Sequence, residues 1–95
     1  MSHTVHLEMG LTHAEFYRTL PAALGDRSYS IADSVVTLEE NDRQVVIELG
    51  PESERRIALL RMPVTWVSLE FSNYQQTEID AFMMHFQRHF QRGGG

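Results

Sequence analysis

The sequence predicts an α+β fold: a two-layer sandwich in which a largely antiparallel sheet of about five strands carries two helices on one face, in the order β-α-β-β-β-β-α. Three observations predict it. Several segments alternate apolar and polar residues with a period of two, the signature of a strand with one buried side. Two others repeat apolar residues at helical spacing. The extended segments in the middle follow one another through short breaks, so neighbours pair antiparallel. Two helices that each have a single apolar stripe can then both cover one side of the sheet.

Thr4 to Met9 alternates, with Val5, Leu7 and Met9 on one side and Thr4, His6 and Glu8 on the other. Gly10 ends this strand. Thr12-His-Ala-Glu15 then has the form of a capping box, flanked by Leu11 and Phe16 at the staple positions. Phe16, Leu20, Ala23 and Leu24 make a helical stripe, Pro21 predicts a kink near its end, and Gly25 a stop. From Ser28 the chain reads as extended through Tyr29 and Ile31 and on through Val35 to Glu39, with a bulge at Asp33-Ser34. Asn41-Asp42 is a two-residue hairpin signal leading into Gln44 to Leu49, and Gly50-Pro51 reads as a turn.

Residues Glu52 to Met62 admit two readings. Ile57 and Leu59 alternate like a strand, while Pro51 followed by Glu52 and Glu54 suits a short helix. A strand from about Arg55 to Arg61 needs the shorter connection to the next segment and is preferred, with Pro63 at a turn or an edge. In Val64 to Phe71, Thr65, Val67, Leu69 and Phe71 share one face, and Val64, Trp66, Ser68 and Glu70 the other. The closing helix begins between Asn73 and Thr77. Tyr74 and Ile79 form its staple if Gln75 is the cap. Its stripe is Ile79, Phe82, Met83, Phe86 and Phe90, and Arg88 and Arg92 complement the dipole at its end. The predicted core is Val5, Leu7, Phe16, Leu20, Val45, Ile47, Val67, Leu69, Phe71 and this last stripe. Residues 1–92 are expected to form one domain and residues 93–95 a flexible glycine tail.

Composition removes several classes of function. The net charge is −5, and neutralising phosphates needs the opposite balance, so neither nucleic acid nor an anionic membrane is expected as partner. No apolar run approaches the roughly 20 residues of a spanning helix, and the N-terminus has no secretory pattern. A cytoplasmic location is expected. Cysteine is absent, which excludes thiol catalysis, disulfides and thiolate metal sites. All eight basic residues are arginine, which excludes Schiff-base chemistry and a phosphate-loop lysine.

Three groups of residues remain as candidates. His85 and His89 share a helix face and could together hold a divalent metal. Glu78 lies on the same flank but seven residues away, about 10 Å along the axis, too far to join them. A third ligand would have to come from elsewhere, such as His3, His6 or His13, and we expect neither a metal site nor a cofactor. Acid–base catalysis could use His6 with Glu8, but the serines stand in no nucleophile motif, and no glycine-rich loop joins a strand to a helix.

The second group is the terminus Arg92-Gly93-Gly94-Gly95, which resembles the ends of ubiquitin-like modifiers and bacterial sulfur carriers. The resemblance covers four residues and implies a glycyl carboxylate activated by adenylation. Here three glycines stand where that family has two, and the tail follows a helix where that family's follows a strand.

The third is Trp66. Alternation points it away from the helices, with Val64 and Ser68 on its own strand and His6 and Glu8 on another. The uncovered side of a sheet is either solvated or in contact with a partner. An exposed tryptophan with aliphatic neighbours suggests a contact surface. The expected function is therefore a small, non-catalytic binding or protein-interaction module, paired with itself as a homodimer or with another protein. The alternatives are a carrier acting through its glycine tail and a small enzyme or histidine-based metal-binding protein.

Overall fold

A computed structural model describes residues 2–90. The glycine tail, Gly93 to Gly95, and the domain boundary before it lie outside the described residues. The elements are β1 (Ser2–Met9), α1 (His13–Leu24), β2 (Tyr29–Ala32), β3 (Val35–Glu40), β4 (Arg43–Ile57), β5 (Leu60–Ser72) and α2 (Gln76–Phe90). All pairings are antiparallel and the sheet order is β1-β5-β4-β3-β2. Both helices pack on one side, as the two single apolar stripes require. The α+β class, the strand count and the element order are those the sequence predicts.

The strands are divided differently. Asp33-Ser34 is a turn and not a bulge. Both residues adopt positive φ, 50° and 67°, as a tight two-residue hairpin demands, and this splits the expected single strand into β2 and β3. Gly50-Pro51 does the reverse. It is a register shift between Leu49 and Glu52 inside one continuous fifteen-residue strand. The separate strand expected from Arg55 to Arg61 does not exist. That stretch forms the ends of β4 and β5, joined through Ala58 and Leu59. The two errors cancel in the count.

Pro63 is tolerated inside β5 because β1 ends opposite Thr65. Beyond that point one side of β5 has no neighbour that would require an N–H.

The helices start where local chemistry places them. Thr12 Oγ1 accepts from the Glu15 amide at 3.1 Å, and the Glu15 carboxylate accepts from the Thr12 amide at 2.9 Å. Helix α1 runs through Pro21 without ending and is closed by Gly25 at φ 65°, a conformation glycine adopts at little cost. In α2 the Gln75 amide donates to Glu78 Oε1 at 2.8 Å, and Tyr74 and Ile79 both join the core. Gln75 is the cap.

The core joins Phe16, Leu20 and Leu24 of α1 and Ile79, Phe82, Met83 and Phe86 of α2 to the inner side of the sheet. Val5, Leu7 and Phe90, expected in the core, pack against it only partly buried. Val36, Leu38 and Leu49 belong to it although the predicted core omits them. Phe16, Phe86 and Phe90 form a ladder with centroid separations of 5.1 to 6.3 Å from Phe16, which ties the helices to each other. Thr65, the one buried polar residue among those described, donates its hydroxyl to the Leu11 carbonyl at 2.9 Å. Among the described residues no helix is long and apolar enough to cross a membrane.

The long β4–β5 hairpin runs past the helices. Residues 51–62 are all exposed, and the molecule measures 48 × 27 × 24 Å.

Candidate interaction surface

With both helices on one side, the other side of the sheet is uncovered. The register sets its occupants in rows across the strands. Glu8 lies opposite Trp66; His6 opposite Ser68 and then Glu48; Thr4 opposite Glu70, Val46 and Thr37. Trp66 is 54% exposed, His6 and Glu8 are exposed and Ser68 is half-buried. A shallow hollow of about 310 Å³ lies beside the indole, lined by His6, Glu48, Gly50, Trp66 and Ser68. Ala58 is at the tip of the hairpin.

Val64 stands on this side but is only 7% exposed and is not part of the core cluster. The register supplies the reason. Arg55 on β4 faces Met62, Glu8 on β1 faces Trp66, and Val64 lies between these two on the strand that separates them. Arg55 Nη2 reaches Glu8 Oε2 at 2.8 Å. To do so it crosses β5 over Val64, covering the valine with its stem.

The bulge also positions Trp66. A Cβ on Gly50 would lie 3.3 Å from the Trp66 carbonyl oxygen and 3.4 Å from its Cβ, so a residue without a side chain lets the strands close there. From the helix side, the His13 amide donates to Glu52 Oε1 at 2.9 Å and the His13 ring Nε2 lies 2.8 Å from the Gly50 carbonyl oxygen. The start of α1 is thereby pinned to the bulge, where a carboxylate also complements the helix dipole.

Sequence reasoning missed the continuation of this surface. Counting from Trp66, every second residue of β5 returns to the same side, so Val64, Met62 and Leu60 are in line with it, and Ile57 faces Leu60 from β4. Met62 is 42%, Leu60 66% and Ile57 54% exposed. The period-two signal runs unbroken from Leu60 to Trp66, and reading Pro63 as an interruption hid it.

The other candidates are dispersed. The rings of His85 and His89 are 4.5 Å apart on an exposed flank of α2, with His89 Nδ1 3.0 Å from the His85 carbonyl oxygen. Among the described residues no group of three or more metal-ligating side chains occurs. Glu8, the carboxylate beside His6, is engaged by Arg55.

A cavity of about 630 Å³ lies between the end of α1, the β3–β4 turn and α2. Its charges are largely committed to one another. Arg43 pairs with Glu78 and Glu40 and lies over the Tyr74 ring, while Arg27 lies over Phe82. Desolvation works against the charge of Arg43, but Glu78, Tyr74 and Glu40 outweigh it and hold the guanidinium above its ordinary value. This arrangement braces α2 against the β3–β4 turn.

Compared with known proteins, the chain matches no family model, no curated protein and no solved structure.

Proposed function

We propose that this chain is a non-catalytic protein-interaction module whose contact surface is the open side of its sheet, centred on Trp66, and whose partner is a second copy of itself. One observation carries the reading. The helix layer covers one side only, and the uncovered side holds a half-exposed tryptophan at the head of an apolar line along β5. Aromatic anchors of this kind, framed by polar residues, are where interface energy concentrates. A surface on one side of the sheet can meet its own copy across a two-fold axis, the commonest arrangement among oligomers.

Changing Trp66 to Glu places two like charges in that contact and leaves the helix-covered core untouched. The parent is expected to be dimeric by light scattering, with its fluorescence shielded from iodide, and Trp66→Glu to be a folded monomer. A parent that stays monomeric at high concentration, with its indole quenched freely by iodide, refutes the proposal.

A further inference from the structure

The β4–β5 hairpin beyond the bulge lacks what the rest of the sheet has, a helix layer against it. Its residues 51–62 are exposed, yet it is not a polar loop. Ile57, Leu60 and Met62 are aligned with Trp66 on one side of the ribbon. At about 3.3 Å per residue the line from Leu60 to Trp66 is roughly 20 Å long. Arg56 faces Arg61 on the opposite side, and Arg55 crosses the line at Val64 on its way to Glu8, so Ile57, Leu60 and Met62 are exposed on one side of that crossing and Trp66 on the other. The tip is held by Ala58 at φ 55°, a left-handed conformation disfavoured for a residue with a Cβ. Such strain persists where the surrounding structure imposes it, and it clusters where function uses it.

Charge is divided along the same axis. Residues 51–62 contain three arginines and two acids, Glu52 and Glu54, while the rest of the chain holds five arginines and eleven acids. Glu48 and Glu70 belong to the open side of the sheet itself. A basic apolar arm and an acidic sheet bearing an apolar anchor are complementary, and one chain carries both.

We infer that the arm of each copy lies across the open sheet of the other, so that two arms clasp two sheets about one two-fold axis. The inference rests on the reading that the Trp66 surface meets a second copy, and adds which part of that copy meets it. Area supports it. Ile57, Leu60, Met62 and Trp66, each about half exposed, offer on the order of 100 Å² apiece. Two copies therefore hide on the order of 800 Å² of apolar surface, about the apolar share of a standard interface of roughly 1,600 Å². An anionic lipid surface would attract the arginines but repel the acidic sheet on which the same apolar line ends. A second copy satisfies both ends.

The test uses Leu60→Glu, Trp66→Glu and single-cysteine variants, since the chain contains no cysteine of its own. Leu60 is 66% exposed, so Leu60→Glu is expected to melt like the parent. Its dimer dissociation constant is expected to rise by about 30-fold or more, as for loss of a central anchor. An equal mixture of Leu60→Cys and Ser68→Cys chains is expected to form the mixed disulfide in preference to either like-with-like product. A dimer that depends on Trp66 but is unmoved by Leu60→Glu overturns the clasp and leaves the Trp66 surface standing. Leu60-to-Leu60 disulfides as the dominant product overturn it also, because the arms would then meet tip to tip. A parent monomeric at high concentration overturns both readings. Sedimentation of a monomeric parent with phosphatidylglycerol vesicles, abolished by Leu60→Glu, assigns the arm to lipid and overturns the clasp.

Discussion

Replacing Phe86 with alanine tests the layer that leaves one side of the sheet open. Phe86 is fully buried. Its ring centroid lies 4.8 Å from Phe90, 6.0 Å from Phe82 and 6.3 Å from Phe16, so it joins both turns of α2 to α1. Truncation returns the transfer free energy of roughly 150 Å² of apolar surface, about 4 kcal/mol at about 25 cal/mol per Å². It also opens a cavity that neighbours locked in the same ladder close only in part, and such changes cost about 3–5 kcal/mol. A domain of this size has a total stability of about 5–14 kcal/mol, so the variant loses between about a fifth of it and nearly all of it. With an m-value of about 1 kcal/mol/M, its urea midpoint should fall by about 3–5 M, followed by far-UV circular dichroism because Trp66 lies on the far side of the sheet. A midpoint within about 0.5 M of the parent would refute the packing of α2 described above.

Two further substitutions probe smaller features. Thr65→Val keeps the shape but removes the hydroxyl that serves the Leu11 carbonyl, and should cost about 1–3 kcal/mol in urea titration; an unchanged midpoint would mean that the carbonyl has other partners. Ala58→Gly relieves the left-handed tip and should gain about 0.5–1 kcal/mol after glycine's larger chain entropy is counted, seen as a Tm higher by about 2–8 °C. A lower Tm would show that the turn does not hold Ala58 at positive φ.

Signals carried by a few adjacent residues were legible in the sequence. The Thr12–Glu15 box, the Gly25 stop and the Tyr74-Gln75-Ile79 start of α2 are each satisfied within one turn of chain. The stripe of α2 and the inward set of β5 followed from periodicity, since burial on one side forces the period whatever the neighbour is. The side on which Trp66 stands came from the same alternation. What failed were breaks whose meaning depends on a distant strand. Gly50-Pro51 can reverse a chain or add residues to a ladder, and β5, pairing across it, makes it a bulge. Asp33-Ser34 can bulge or turn, and it turns because β3 pairs back on β2.

The sequence by itself determined the fold class, the helix caps, the inward faces and the outward tryptophan, because each depends on hydrogen bonds or side-chain periods that close locally. Only the tertiary structure decided that β4 and β5 extend beyond the helix layer as one ribbon. Ala58-Leu59 has no glycine or asparagine to announce a turn. The chain turns there because the pairing begun at Gln44 and Ser72 propagates outward until the two strands meet. That long-range register places Ile57, Leu60 and Met62 in line with Trp66, and it draws Arg55 across Val64 to Glu8.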